Sequence, residues 1–292
     1  MGDPRGIGPE IIFRSLSESA LENFEVIIAG DKELLIREAS RQGFDADRVE
    51  IYDPGRGASP GDSSIRYLDE ALRFIKKYPG AALLTAPVEK RAVAEDIPDF
   101  SGHTGYLAEK AGNAFTVMSF ITTKMKMSLL TEHIPLKEVP VSIDKDMIVK
   151  HIDVVRFGLK KYFNISSPRF VIASLNPHFG EAGLLGDEET DIFIPAVREM
   201  RRTGVSVEGP FSADHSLRAA LSGRYDFIVS PYHDQLLPAF KVLLGPSVNM
   251  TLGLGYPRVS PDHGPALDLK GSPADYSSMK AALKLAVSLS DG

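Results

Sequence analysis

The 292-residue sequence contains no cysteine. This absence excludes disulfides, thiolate nucleophiles and cysteine-type zinc sites. The chain also lacks any run of about 18 apolar residues, which argues against a transmembrane helix. Residues 1–13 do not show the basic-then-apolar layout of a signal peptide. Positive charge is in deficit, with a formal net charge of -6, so a nucleic-acid partner is disfavoured. The expected class is a cytoplasmic enzyme or binding protein.

Short apolar runs alternate with segments in which apolar residues recur every three or four positions. Six runs have strand length: 24–30, 81–86, 125–132, 169–175, 225–230 and 247–254. Between them lie four segments of helical period: 31–43, 63–78, 144–162 and 187–204. This alternation predicts an α/β fold with a mostly parallel sheet covered by helices on both faces.

Three of the apolar runs end in a histidine. SLLTEH ends at His133, VIASLNPH at His178 and DFIVSPYH at His233. Parallel α/β sheets bind ligands outside the carboxyl ends of their strands, and imidazole is the commonest protein ligand for a transition metal. The alternative is three unrelated histidines in turns, and their wide spacing matches no local metal motif. The residues alone leave both interpretations open.

Three further segments have the composition of an anion or cofactor site. GDPRGIGPE (2–10) places glycines ahead of Pro9, which suits a first helical turn, although such a run is also common in plain turns. SGHTGYLAEK (101–110) puts His103 and Thr104 at an apparent helix start, where Thr104 is alternatively a simple N-cap. The loop 257–271 is rich in proline and glycine and carries charged residues, as functional loops often do.

Taken together, these segments resemble the 4-hydroxythreonine-4-phosphate dehydrogenase family of pyridoxal phosphate biosynthesis. The matching motifs run in order through the whole chain. They are GDPRGIGPE, TAPVEK, GHT, TEHIPL, LNPHFGEAGLLGDEE, GPFSAD, YHDQLLPAFK and VNMTLGLGYPRVSPDHG. Long motifs of this kind are highly specific.

The resemblance implies two α/β lobes around a cleft, as in isopropylmalate and isocitrate dehydrogenases, within a homodimer. We expect residues 1–114 with 246–292 to form the cofactor-side lobe, and 115–245 to form the metal, substrate and dimerisation lobe. The resemblance also implies a set of site residues. His133, His178 and His233 would bind one divalent metal (zinc, magnesium or cobalt) shared between subunits. His103, Thr104, Lys241, Asn249 and Arg258 would hold the phosphorylated substrate, and His263 and Gly264 would lie beside NAD or NADP.

The implied reaction oxidises 4-phosphohydroxy-L-threonine and releases carbon dioxide, giving 3-amino-2-oxopropyl phosphate. NAD accepts the hydride, and a metal polarises the substrate oxygen. We assign catalytic roles to Lys241, a candidate proton acceptor, and to Asp234. Asp234 and Asp214 are also candidates for orienting the ligand imidazoles.

Two features depart from the family's pattern. The family usually begins with a strand ahead of the glycine loop, whereas this chain starts at Met1 within that pattern, so we expect one strand fewer. The family's GHTE reads GHTG, with Gly105 in place of a carboxylate. This change leaves open a sister enzyme acting on D-threonate or D-erythronate 4-phosphate. A non-catalytic metal-binding protein on the same fold is the alternative from another class.

Overall fold

The computed structural model describes residues 1–19, 24–268 and 273–290. The helices are α1 Gly8–Ser17, α2 Lys32–Arg41, α3 Pro60–Lys77, α4 Lys90–Asp96, α5 His103–Lys110, α6 Val139–Ser142, α7 Lys145–Phe163, α8 Ile194–Arg202, α9 Ala213–Leu221, α10 His233–Leu244 and α11 Ser277–Leu289. The strands are β1 Ile27–Ala29, β2 Glu50–Tyr52, β3 Leu83–Leu84, β4 Val117–Ile121, β5 Lys126–Leu129, β6 Arg169–Ala173, β7 Ser206–Phe211, β8 Phe227–Ser230, β9 Val248–Leu252 and β10 Arg258–Pro261.

The chain divides into two compact units. The first comprises Met1–Ala114, Pro246–Met250 and Leu254–Gly292, and the second comprises Phe115–Gly245 and Thr251–Gly253. Strand β9 therefore begins in the first unit and ends in the second. The roles that we expect for the two lobes stay predictions.

In the first unit, two strand pairs are parallel. β1 pairs with β2, with Ile28 opposite Ile51, and β3 pairs with β10. The apolar faces of the surrounding helices form its cores, one of which packs Phe13, Leu35 and Leu283 together. Helix α3 begins at Pro60 because Ser59 is its N-cap. The Ser59 hydroxyl accepts a hydrogen bond from the amide of Asp62.

In the second unit, strands β4, β5, β8, β6 and β7 lie side by side in that order. The β5–β8, β8–β6 and β6–β7 pairs are parallel, whereas β4 and β5 run antiparallel. The central strand β8 is buried along its whole length, as the apolar run 225–230 indicates. The predicted α/β class with a mostly parallel sheet is confirmed.

All six predicted strands and all four predicted helical segments form in the structure. The helical segment 187–204 is divided, because a wider π-type turn at Glu189–Phe193 precedes α8. Pro9 lies in the first turn of α1, as predicted. None of the helices within the described ranges is both long enough and apolar enough to cross a bilayer.

A cavity of about 470 Å³ lies in the first unit between β1 and β3. Helices α1, α3 and α11 contribute half of its other lining residues. Met1 also lines it, and the Met1 ammonium donates to the carbonyl oxygen of Ala29 at 2.8 Å. Burial lowers the pKa of this ammonium to about 5. The predicted site residues do not line this cavity.

Candidate active site

Three adjacent parallel strands of the second unit lead to the three predicted metal ligands. β8 lies between β5 and β6 and is parallel to both. His133 follows β5, His233 follows β8 and His178 follows β6. Because parallel strands present their carboxyl ends at one edge of a sheet, the three histidines follow the same edge, where such sheets bind ligands.

His133 and His233 lie side by side. Their ring centroids are 5.4 Å apart, with the ring planes inclined by 43°. His233 is the first residue of α10, and its Nδ1 lies 2.6 Å from Asp234 Oδ1. An ionised carboxylate can only accept a hydrogen bond, so His233 Nδ1–H donates to Asp234 and Nε2 is the ring nitrogen left for another partner. Asp234 therefore fixes the orientation of the His233 ring.

His178 occupies a different local setting. It lies in the turn Pro177–Gly183, where its side chain is 75% exposed and its Nδ1 is 3.6 Å from Glu181 Oε1. Among the described residues, no group of three histidine or carboxylate side chains is arranged to hold a metal ion. The structure thus brings two of the three predicted ligands together. The complete three-histidine set stays a prediction.

Asp214 does not share the arrangement of Asp234. It lies in the first turn of α9, where it accepts hydrogen bonds from Ser212 at 2.6 Å and from Arg218 at 2.5 Å. These two contacts, with Ser212 the larger influence, lower the pKa of Asp214 to about 2. The bonds shown for Asp214 are thus local to α9, which gives no support to the prediction that it orients an imidazole.

Lys241 lies in the last turn of α10, the helix that His233 begins. The two residues are eight positions apart (241 − 233), which is a little over two helical turns, so they lie on roughly the same side of the helix. The Lys241 ammonium is 5.7 Å from the centroid of the Phe120 ring. Helix α10 thus carries both Lys241, the predicted proton acceptor, and His233, a predicted metal ligand.

In the first unit, positive charge surrounds His103. Helix α5 begins at His103 after Gly102, whose φ of 127° favours glycine, and no side chain caps the helix. The alternative in which Thr104 is the N-cap is therefore wrong. The pKa of His103 is held well below its ordinary value, first by burial and then by the positive charges of Arg258 and Lys90.

Arg258 is the principal cation of this cluster. It begins β10, is only 3% exposed, and donates from Nη2 to Thr85 Oγ1 at 2.7 Å. Burial lowers its pKa to about 10, so the guanidinium stays charged at neutral pH. A buried cation, a second cation and the start of a helix all favour an anion, and a guanidinium suits phosphate.

Two buried acceptors in the first unit point to a ligand with donor groups. Asn249 Oδ1 and His263 Nε2 are both buried without a hydrogen-bond partner in the described part of the chain. His263 Nδ1 lies 3.1 Å from the Gly264 carbonyl oxygen and donates to it, which leaves Nε2 as an acceptor. The amide of Ile7 donates to Pro265 O at 3.1 Å, so the glycine loop contacts the loop that carries His263.

Sequence reasoning missed several residues of these sites. Thr85 and Lys90 are the first and last residues of the motif TAPVEK. Nothing in the motif indicates that Thr85 contacts Arg258 or that the charge of Lys90 acts on His103. Glu189 closes the motif LNPHFGEAGLLGDEE, and its burial to 1% exposure was not foreseen. A carboxylate buried this deeply needs partners, and only the folded chain reveals them.

Comparisons with known proteins agree over nearly the whole length. The 4-hydroxythreonine-4-phosphate dehydrogenase of Sulfurihydrogenibium sp. is 34% identical, over 99% of this chain and 96% of the relative. The crystal structure of the Klebsiella pneumoniae enzyme of that name is 32% identical with a TM-score of 0.88, over 100% of this chain and 98% of that one.

More distant structures carry other activities. A terephthalate 1,2-cis-dihydrodiol dehydrogenase from Burkholderia xenovorans is 25% identical with a TM-score of 0.68, over 98% of this chain and 96% of that one. Isocitrate dehydrogenase from Methylococcus capsulatus shares the fold alone, at 14% identity and a TM-score of 0.50, over 98% of this chain and 83% of that one.

Residues 18–286 match the family described as pyridoxal phosphate biosynthetic protein PdxA. The chain therefore belongs to the PdxA family.

Proposed function

We propose that this chain is a cytoplasmic oxidoreductase that converts 4-phosphohydroxy-L-threonine to 3-amino-2-oxopropyl phosphate and carbon dioxide. NAD, or alternatively NADP, accepts the hydride, and a divalent metal assists. The names of the relatives support the substrate and the reaction type. The observation that carries the proposal is the pair of imidazoles, His133 and His233, 5.4 Å apart beyond adjacent parallel strands.

The donor set fits a transition metal. Two imidazoles lie close enough for one ion to bind both, and the Asp234 carboxylate accepts from Nδ1 of His233. In our assignment, His133 and His233 hold a zinc, magnesium or cobalt ion together with His178. When bound there, the ion would act as a Lewis acid on the substrate oxygen.

The cationic cluster of the first unit is assigned to the substrate phosphate. Arg258 is suited to grip two phosphate oxygens, and His103 and Thr104 lie at the start of α5. The unpartnered Oδ1 of Asn249 is suited to accept from a substrate donor. Lys241, which lies in the second unit, is also assigned to substrate binding. His263 and Gly264 are assigned to the nicotinamide cofactor.

The chemistry balances with these groups. A bound nicotinamide would supply the hydride acceptor for the substrate's carbinol carbon, and Lys241 is the residue that we name to take up the hydroxyl proton. Asp234 acts through His233, whose ring it holds. The resulting 3-keto acid breaks its bond to the carboxylate, and the electron pair left on the adjacent carbon takes up a proton to give the amino ketone phosphate.

A homodimer is part of the proposal. The second unit exposes large apolar side chains, of which Val141 is 84%, Leu184 77%, Leu136 69% and Val242 84% exposed. Exposed apolar surface of this kind is typical of association sites. A shared metal site requires a lasting contact, so we expect the interface to bury more than about 2,000 Å² in total.

One observation favours the sister enzyme as a second candidate. Gly105 replaces a carboxylate, and a Cβ at this position would lie 2.2 Å from Ser101 Oγ. A larger residue at position 105 would therefore require Ser101 to move, and Gly105 leaves the start of α5 without the carboxylate of the pattern GHTE. D-threonate and D-erythronate 4-phosphate lack the amino group that a carboxylate would bind.

The test is a substrate comparison followed through NADH absorbance. The protein is mixed with NAD, a divalent metal and, separately, each of the three phosphorylated acids. Turnover fastest with 4-phosphohydroxy-L-threonine supports the proposal, and turnover fastest with either sugar-acid phosphate supports the second candidate. No turnover with any of them, or with NADP in place of NAD, would support a non-catalytic metal-binding protein.

A further inference from the structure

The turn that carries His178 has an unusual backbone. Five consecutive residues, His178 to Ala182, all have left-handed conformations, with φ between 45° and 74°. L-residues other than glycine visit this region as single residues, because Cβ approaches the following carbonyl oxygen. Four of the five are not glycine, so the turn persists only if its surroundings hold it.

Glu189 is the main support beneath this turn. Its side chain is buried, and Oε1 accepts from the backbone amides of Leu175 and Asn176, both at 2.8 Å. Its Oε2 accepts from Asn176 Nδ2 at 2.9 Å. A Cβ added at Gly180 would lie 3.0 Å from the same Oε2, so the carboxylate also packs against the turn itself.

Gln235 links the segment before His178 to the neighbouring strand β8 through two hydrogen bonds. Its Nε2 donates to the carbonyl oxygen of Ser174 at 2.6 Å, and its Oε1 accepts from Ser230 Oγ at 3.0 Å. Ser174 follows β6 and Ser230 ends β8. Gln235 itself lies two positions after His233 on α10. The segment before His178 is therefore tied to the one before His233.

We propose that Glu189 and Gln235 are positioning residues that hold the left-handed turn and so fix where His178 presents its imidazole relative to His233. This inference rests on the proposed metal site. The carboxylate suits the role because all of its contacts are donors, two from the backbone and one from the Asn176 amide. A glutamine at position 189 supplies one acceptor and turns an NH₂ group towards Asn176 Nδ2, which is also a donor.

The experiment compares cobalt binding by the full-length wild-type protein with that of Glu189→Gln and Gln235→Leu. The visible spectrum of bound Co²⁺ reports the number and geometry of its ligands. We expect each variant to bind Co²⁺ about 10- to 100-fold more weakly, as losing an orienting partner typically does. At saturating Co²⁺ we expect their spectra to shift towards that of His178→Ala.

Glu188→Gln is the matched control. Glu188 accepts from Asn176 Nδ2 at 2.6 Å, and within the described residues its side chain accepts no bond from the loop backbone. We expect this variant to keep the wild-type spectrum. Circular dichroism and thermal unfolding establish that each variant is folded. If Glu189→Gln does not fold, Gln235→Leu decides the question alone, because Gln235 is only half-buried.

Wild-type affinity and an unchanged spectrum in folded Glu189→Gln and Gln235→Leu would overturn the inference. A lower melting temperature with an unchanged cobalt spectrum would also overturn it, since that pattern indicates a structural role only. His133→Ala and His233→Ala separate the two levels of the argument. If both leave Co²⁺ binding intact, the proposed metal site itself fails. If both abolish it while Glu189→Gln has no effect, only the positioning role fails.

Discussion

His133 and His233, one hundred positions apart in the sequence (233 − 133), lie with their imidazole centroids 5.4 Å apart. Their neighbouring strands β5 and β8 pair in parallel, with Leu129 opposite Ser230. The residues that follow the two strands therefore emerge next to each other. Asp234 adds the hydrogen bond at 2.6 Å that sets the ring of His233. We therefore expect metal binding to depend on this hydrogen bond.

Asp234→Asn should weaken metal binding by about 10- to 100-fold, because a neutral amide orients and polarises the His233 ring less than a carboxylate does. Isothermal titration with Zn²⁺ measures the effect. Asp214→Asn is the control, since the bonds of Asp214 are to Ser212 and Arg218. Equal losses in both variants would show that net negative charge matters, and that the His233 contact does not.

Arg258→Lys should weaken the phosphorylated substrate far more than NAD. Lysine keeps the charge but loses the planar fork that grips two oxygens. Losing one charge-assisted hydrogen bond costs roughly 1.5–3 kcal/mol, or about ten- to a hundredfold in affinity. Direct titration with substrate and with NAD checks this, with the exposed Arg73→Lys as the control. Unchanged substrate affinity with lost NAD binding would assign Arg258 to the cofactor.

Folding stability should depend on pH through the buried His151. Its Nε2 lies 2.7 Å from Ser128 Oγ, and burial lowers its pKa to about 3. In the unfolded chain the pKa of histidine is near 6.5. Above pH 6.5 the His151 imidazole is neutral in both the folded and the unfolded chain, so this residue makes no pH-dependent contribution to the free energy of unfolding. Below it, only the unfolded chain takes up a proton, and stability falls as pH drops from 6.5 towards 3 by up to about 1.4 kcal/mol per pH unit.

His151→Gln cannot titrate and should remove this contribution. Urea unfolding at a series of pH values would show a shallower loss of stability for His151→Gln than for the wild type between pH 6.5 and 3. His215→Gln, at an exposed position, should keep the wild-type slope. An identical slope in His151→Gln and the wild type would contradict the assignment of a neutral buried imidazole.

Leu136→Asp should disrupt the proposed homodimer. Leu136 is 69% exposed in the second unit, and a carboxylate placed in an apolar interface must lose its hydration. Sedimentation velocity at about micromolar concentration should show dimers of the wild type and more monomer in the variant. Ile36→Asp, on an exposed site of α2 in the first unit, should leave the dimer intact. A monomeric, fully active wild type would contradict the shared site.

The sequence alone predicts the elements with a strong apolar pattern. The run ending in DFIVS forms β8, buried on both faces, and residues 144–162 form α7. It does not predict β2, β4, β7 or β10. Glu50–Tyr52 and Arg258–Pro261 are short, and Ser206–Phe211 contains glycine and proline, which are unfavourable in strands. Their pairing partners, rather than their own composition, make these segments strands.

The candidate site divides in the same way. Parallel sheets bind ligands at the carboxyl ends of their strands, and this rule depends only on local sequence pattern and parallel topology. It therefore predicts that the three histidines follow one edge of the sheet. It cannot predict that His178 lies in a left-handed turn, since that turn packs against Glu189, eleven residues away (189 − 178). Nor does it predict the charges around His103, because Lys90 and Arg258 come from distant segments.

The most direct measurement follows the hydride itself. Substrate carrying deuterium on the carbinol carbon is incubated with the protein, NAD and a divalent metal, and the reduced nicotinamide is analysed by mass spectrometry. We expect the deuterium to appear in the reduced cofactor together with carbon dioxide release, and we expect His233→Ala to lose this transfer while still binding NAD. Deuterium retained in the substrate, or transfer at the wild-type rate in His233→Ala, would contradict the account.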